Sequence, residues 1–457
     1  MSKKDMRIII VGLGKLGTTL AEQISNENHD VTVIDTAPKL VEETVNRFDV
    51  FGVVGSGADC DVQKEAGVDK CDIFISVTDA DELNILACMI SKKLGARHTI
   101  ARVRNPEYSR QFGFMRHELG ISMLVNPEYD AAFEISRIIQ FPAAMKVEKF
   151  AKGRVDLAEI ALKEGNPLCG QYIRDLVSKF RSNVLVCAVI RGEKAIIPTG
   201  DFQLLKGDRI TLTASHGELS AFFKSLGILK KRVKSVMIIG GGKIAYYLAR
   251  RMGEIGVFVK IIDINRERCR ELADLLPKAA IIHADGSDSD VLTEEGLDGM
   301  DACVTLTGID EENIIISMFA SGSNVEKVIT KVNRPSLVKM MSAMGQESIV
   351  SPRYIAMGNI LSYLRARSNS EGSSVRTLYK IADNMVEAIE FNAAENFPAF
   401  GIPLKKLHLK PGILIGCIIR SNKVIFPHGD NTIELRDSVV VITTNQALSD
   451  LRDILAD

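Results

Sequence analysis

The sequence predicts an α/β protein: two doubly wound parallel sheets, each followed by a small β-rich module. Three observations carry this. A glycine turn between an apolar run and a helical pattern occurs at residues 12–17 and returns at 240–245. After each turn, short β-rich runs alternate with helical patterns, which implies parallel strands joined by crossover helices. The texture then changes, twice, to short alternating strands without long helices between them.

In chain order, RIIIVGLGKLG at 7–17 gives a strand buried on both faces, then the GxGxxG spacing. Gly12 makes the tight turn, Gly14 lets backbone approach a pyrophosphate, and Gly17 lets the helix pack on the strand. The backbone from Gly12 through Leu13, Gly14 and Lys15 to Leu16 then points its N–H groups at the phosphates. Asp35 closes the next apolar run, VTVID, where a carboxylate accepts both hydroxyls of an adenosine ribose. Further strands are expected at 50–54, 72–77, 98–103 and 122–125, with helices at 16–26, 81–94 and 106–116. A helix at 127–139 leaves the sheet. Strands at 146–150, 156–162, 184–190 and 209–213 build the first β-rich module.

The second half repeats the first. SVMIIGGGKIA at 235–245 places Gly240 and Gly242 each 228 positions after Gly12 and Gly14, and Asp263 stands 228 after Asp35. Gly241, Lys243 and Ile244 fill the positions of Leu13, Lys15 and Leu16, and Ala245 replaces the third glycine, where only a small side chain is required. TDADELN at 78–84 answers TGIDEEN at 307–313, and Arg102 before Asn-Pro answers Lys331 before Arg-Pro. In the β-rich modules, PLCG at 167 answers PAFG at 398, and IIPTGD ending at Asp201 answers VIFPHGD ending at Asp430. A basic linker, LKKRVKS at 229–235, separates the halves. SNSEGSS at 368–374, after a helical stretch at 353–367, reads as a hinge.

Composition bounds the function. With 457 residues, 46% hydrophobic and 25% charged, the chain is large enough for several cores. A net charge of -1 steers it toward neither nucleic acid nor an acidic membrane. The eight cysteines include no CxxC and sit in apolar runs, so they read as reduced core thiols of a cytosolic protein. The seven histidines show no ligand spacing, and no metal site is expected. Gly12, Gly14 and Lys15 interrupt the apolar start too early for a signal peptide, and no run approaches the roughly 18 residues that span a bilayer. The cluster of Met340, Met341 and Met344 reads as packing. No arrangement of nucleophile, base or paired carboxylates points to catalysis, and the chain is expected not to be an enzyme.

In the order of its motifs the chain resembles, end to end, the TrkA family of peripheral nucleotide-binding subunits of bacterial Trk potassium-uptake systems. Each half is similar to an RCK (KTN) regulator: a Rossmann-like N-terminal domain and a small α+β C-terminal domain. The implied domains are 1–126 and 233–351 for the parallel sheets, with 127–228 and 352–457 each supplying a crossover helix and a C-terminal domain. The resemblance implies NAD or NADH, with ATP and ADP as further ligands. It implies a homo-oligomeric ring, a tetramer, on the inner face of the plasma membrane beneath a membrane-embedded potassium channel, with no nucleic acid involved.

Residue by residue, the resemblance puts ribose on Asp35 and Asp263 and pyrophosphate on the two glycine turns. It adds Thr78, Asp79 and Thr307 at the tips of the fourth strands, and Arg102 and Lys331 as phosphate charges. Lys15 and Lys243 stand where the family often has Arg, giving a point charge in place of a fork. The family's Gly-Asp pair after the third strand survives at Asp285, whereas the first half has Ser56, so the two sites are expected to differ. Thr78 and Thr307 also suit helix caps, and Arg102 and Lys331 also suit surface ion pairs. Two other classes compete on sequence: an NAD-dependent oxidoreductase with duplicated nucleotide domains, and a redox-sensing DNA regulator. The first lacks a substrate domain after its nucleotide domain, and the second lacks a basic recognition helix. The helices at 127–139 and 353–367 carry more apolar positions than their own domains need, which predicts self-association.

Overall fold

The computed structural model describes residues 6–27, 29–109, 111–141, 144–150, 155–180, 184–228, 233–343, 348–368, 375–382, 385–421, 423–444, 448 and 450–456. Most of the LKKRVKS linker, nearly all of the SNSEGSS stretch and Met344 lie outside them. Contacts divide the chain into two compact units, residues 1–131 with 351–368, and residues 132–350 with 369–457.

The first unit is built on a six-stranded parallel sheet of order 3-2-1-4-5-6 along the chain. Its central strand Arg7–Val11 pairs with Asp30–Asp35 on one side and Ile73–Ser76 on the other. The order reverses beside this strand, so its carboxyl end opens a crevice where such sheets hold ligands. The run of branched residues makes sense here, because Ile8, Ile9, Ile10 and Val11 are all buried, on both faces. Helices Lys15–Ser25, Pro38–Arg47, Cys60–Glu65 and Asp81–Leu94 supply the crossovers. The helix expected at 106–116 is broken into Pro106–Ser109 and Phe112–His117, because Gln111 leaves the helical region at φ -94°, ψ 17°.

One element of this unit comes from far along the chain. Helix Pro352–Ser368 lays Ala356, Met357, Ile360, Leu361 and Leu364 into the cluster of Ile8, Ile10, Leu20 and Ile24. Its polar edge is also tied down. The Arg365 guanidinium pairs with Glu27, Nε donating to Oε2 at 3.1 Å and Nη2 to Oε1. The Tyr363 hydroxyl lies 3.4 Å from His98 Nδ1. Burial, followed by the charges of Arg367 and Lys92, pushes the His98 pKa below its usual value.

The second unit repeats the sheet with the same order of six parallel strands, centred on Ser235–Ile239. Here residues of helix Pro127–Gln140 are the visitors: Arg251 Nε donates to Ser136 Oγ at 2.7 Å, and its guanidinium stands 4.1 Å over the Phe133 ring. Lys327 Nζ donates to the Ala144 carbonyl at 2.7 Å. Ala131, Ile135 and Ile138 of helix Pro127–Gln140 are buried within the chain, as are the apolar positions of helix 352–368. This removes the reason the sequence offered for self-association through those helices.

Two five-stranded antiparallel sheets follow. One is centred on Arg209–Ala214 between Leu185–Arg191 and Val155–Ala161; the other is centred on Ser438–Thr443 between Val386–Asn392 and Ile413–Arg420. One apolar cluster joins them through Leu157, Cys187, Ile190, Val386, Cys417 and Val440. Each sheet carries the same arginine fork on a buried carboxylate: Arg191 on Asp208 at 2.8 and 2.7 Å, and Arg420 on Asp437 at 3.0 and 2.8 Å. Six of the cysteines are buried and all are free thiols, but Cys60 is exposed and Cys169 half-buried, unlike the uniform core set expected. Burial pushes the Cys71 thiol up to about 12. Met341 is buried, while Met340 is exposed.

Candidate functional site

The glycine turn of the first half is fixed from both sides. Gly12 adopts φ +93°, its N–H donates to the Ile34 carbonyl at 2.9 Å, and a Cβ on it would stand 2.9 Å from the backbone of Thr78. A Cβ on Gly17 would lie 1.8 Å from the Gly12 carbonyl oxygen, so the close approach of helix and turn is real. Gly14 is different. It caps helix Lys15–Ser25 without a side-chain bond, and a Cβ there would meet nothing within 4 Å. The helix N-terminus thus faces open space, with its N–H groups free to meet an anion.

Asp35 sits at the turn. Its Oδ2 accepts the Leu13 N–H at 2.6 Å and its Oδ1 accepts the Ala37 N–H at 2.9 Å. In the second half Asp263 takes the Gly241 N–H at 2.5 Å and the Asn265 N–H at 2.7 Å. Gly240 repeats the Gly12 conformation at φ +99°, and Gly242 again faces open space. Ala245 is fully buried in place of the third glycine. Leu13, Leu16 and Ile244 are buried, while Lys15 and Lys243 are exposed at the start of their helices.

The T-x-x-D-E-x-N run proves to be a clamp. Asn84 Oδ1 accepts from the Thr78 N–H and hydroxyl, both at 2.8 Å, and its Nδ2 donates to the carbonyls of Thr78 and Arg102, both at 3.0 Å. Asn313 joins Thr307 to Lys331 in the same way, at 2.8, 3.3 and 3.1 Å. Asp81 and Asp310 hold the chain after the fifth strands by accepting two backbone N–H groups each. Neither threonine side chain caps the following helix. Asp81, Asn84, Asp310 and Asn313 were missing from the expected set, although their recurrence in both halves was the signal for them.

Arg102 lies mostly buried between these groups. Its Nη1 donates to the Val77 carbonyl at 3.4 Å, its Nη2 stands 3.7 Å from Asp79 Oδ1, and its buried Nε has no protein partner. Burial, then the neighbouring Arg104, lowers its pKa. Lys331 in the second half reaches the carbonyls of Leu306 and Thr307. Ser56 and Asp285 close the same turn by different means: Ser56 Oγ accepts the Ala58 N–H at 3.3 Å, and Asp285 Oδ1 accepts the Ser287 N–H and hydroxyl at 2.9 and 2.7 Å. The bonds from Ser287 lower the Asp285 pKa. Among the described residues no cluster of metal-ligating side chains occurs, and no helix is long and apolar enough to cross a membrane.

Comparison with known proteins agrees with this geometry. The TrkA-N domain model matches residues 8–127 and 236–352, and the TrkA-C domain model matches 157–227 and 388–456. A Trk system potassium uptake protein TrkA of Halomonas elongata is 32% identical over 444 residues, covering 96% of each chain. A homolog of that protein in Archaeoglobus fulgidus is 32% identical over 450 residues, 98% of this chain and 100% of its own. Among solved structures, the GsuK RCK domain shares the fold with a TM-score of 0.64 at 17% identity, over 98% of this chain and 94% of that one. The GsuK channel bound to NAD gives 0.64 at 17%, over 98% and 78%. With two parallel sheets of one order, two glycine turns with their acids, and both domain models matched in tandem, the chain belongs to the TrkA family.

Proposed function

We propose that this chain is the nucleotide-sensing subunit of a Trk-type potassium-uptake system, which gates a separate membrane channel from the cytosolic face by changing shape with nucleotide state. The observation that carries it is the pair of open glycine turns, each with a carboxylate at its rim, in a chain of this family. NAD or NADH suits both ends of each turn: ribose hydroxyls on Asp35 or Asp263, pyrophosphate on the backbone at 12–16 or 240–244. ATP and ADP share the same half of that ligand. Arg102, with an unpartnered buried Nε, and Lys331 supply charge toward the phosphates, beside Thr78, Asp79 and Thr307. Ser56 and Asp285 make the two sites unequal.

A ligand shifts a two-state equilibrium only by its difference in affinity for the two states. Coupling between sites typically amounts to about 1–3 kcal/mol, so a few linked sites move an equilibrium by orders of magnitude. The expected result is that Asp35→Asn and Asp263→Asn each weaken nucleotide binding at their own half about tenfold to a hundredfold, corresponding to roughly 1.5–3 kcal/mol. Titration calorimetry of the two variants reads this, and an unchanged double variant removes the nucleotide assignment. Potassium flux in vesicles holding the channel should change when ATP replaces ADP or NADH replaces NAD. A flux equal under all four, with the subunit bound, leaves only a scaffold.

The tetrameric ring of this proposal uses a different surface from the crossover helices. Leu86 on helix Asp81–Leu94 is 47% exposed, and its counterpart Ile315 on helix Asp310–Gly322 is 66% exposed with Met318 beside it. The same aliphatic position is left open in both halves, as a repeated contact between copies requires. Leu86→Lys with Ile315→Lys is expected to lower the mass seen by light scattering at micromolar protein. An unchanged oligomer would place the contact elsewhere.

A further inference from the structure

We propose that Arg268 is the adenine-stacking residue of the second half, and that it makes this half the tighter site for adenine nucleotides. The inference rests on the nucleotide reading above and adds a residue to one half alone. Helix Arg266–Leu275 begins just past Asp263, and Asn265 caps it by accepting the Arg268 N–H at 3.0 Å. The guanidinium then turns back onto the glycine turn. Its Nε donates to the Gly241 carbonyl at 2.6 Å, its Nη2 lies 3.5 Å from the Gly242 carbonyl, and its Nη1 lies 2.7 Å from Glu271. Gly241 in turn donates to Asp263, and Asp263 accepts from Asn265, so acid, cap, fork and turn close one ring of hydrogen bonds.

All three nitrogens of the fork are engaged along its edge, so the plane is fixed while the side chain stays 24% exposed. What remains to offer is a flat, weakly hydrated cationic face next to the carboxylate that takes the ribose. A purine on that ribose is the group such a face suits. The first half has no equivalent. Its helix Pro38–Arg47 starts at Ala37 without a side-chain cap, and the position of Arg268 is held by the exposed Leu40. There the turn carbonyl of Leu13 is taken instead by the Thr18 hydroxyl at 2.9 Å.

The test uses the full chain with its first half blocked by Gly14→Trp, titrated calorimetrically with ADP and with base-free ribose 5-phosphate. Arg268→Leu is expected to weaken ADP about fivefold to twentyfold while ribose 5-phosphate changes less than about twofold. Arg268→Lys, which keeps the charge and a donor for the Gly241 carbonyl but loses the plane, should weaken ADP similarly and guards against a folding defect in the leucine variant. Equal losses for both ligands would make Arg268 a brace only. Full ADP affinity in the lysine variant would make it a point charge only. Either result, or no change at all, overturns the proposal. ADP failing to bind the Gly14→Trp parent would instead strike the nucleotide reading of the second half itself.

Discussion

Gly17→Val is expected to unfold the first unit, while Gly14→Val, three residues earlier, leaves the fold intact and abolishes nucleotide binding at that half. The Cβ at position 17 would sit 1.8 Å from the Gly12 carbonyl oxygen, with Val77 3.4 Å away on the other side. The second half holds fully buried Ala245 at the matching position, whereas in the first half even a methyl overlaps a backbone atom. A branched side chain has less room still, and overpacking against a backbone that is itself pinned by Ile34 exceeds the usual range, at about 4 kcal/mol or more. Gly14 has φ -67° and ψ -173°, which any residue adopts, and open space where its side chain would point. The added bulk there meets only the phosphates. Thermal unfolding and nucleotide titration of both variants separate the two outcomes. A Gly14→Val protein that binds nucleotide normally would move the phosphates away from this turn.

Glu27→Ala is the second change with a large expected effect. Both partners of the Arg365–Glu27 pair are mostly buried, so removing the carboxylate takes a charged partner from a largely desolvated guanidinium. Breaking a buried pair from one side costs about 3–5 kcal/mol, more than the pair itself contributes. The first unit should therefore lose most of its stability margin, and helix 352–368 should exchange its amide hydrogens early. Glu27→Gln with Arg365→Met removes both charges and should recover most of the loss, because an apolar replacement of a buried ion pair is often neutral or better. If the single and the double variants melt together, the helix is held by its apolar stripe alone.

The parts of this molecule legible in the sequence are those set by local steric and periodic constraints. Gly12, Gly17 and Gly240 announce backbone conformations or approaches that side chains forbid. The uninterrupted branched runs announce strands covered on both faces, and from these the two sheets and the rims at Asp35 and Asp263 follow. What was not legible depends on partners distant in the chain. Nothing in the spacing of Ala356, Ile360 and Leu364 says which sheet they cover; an apolar stripe records that it is buried, not against what. Asn84 and Asp81 are passed over when the T-x-x-D-E-x-N run is read for Thr78 and Asp79 at the strand tip. Their buried oxygens and amide instead tie the fourth strand to the fifth. Arg268 was hidden in a basic, exposed-looking helix start, and only the short distance to the Gly241 carbonyl distinguishes it from its neighbours.

The crossed placement of helix 352–368 bears on how the two halves evolve. After a duplication, one copy is ordinarily free to decay once the other suffices. Here deletion of the second half would strip the first sheet of the helix that covers Ile8, Leu20 and Ile24, so the redundant copy is retained as a structural dependency whatever its ligand chemistry. Selection then holds the scaffold of both halves while leaving their rims free to drift. Leu13 against Gly241 in the sequence repeat, Ser56 against Asp285 and Leu40 against Arg268 are differences of that kind. Under the proposed function, such enforced retention yields two unequal nucleotide sites without selection for two at the outset.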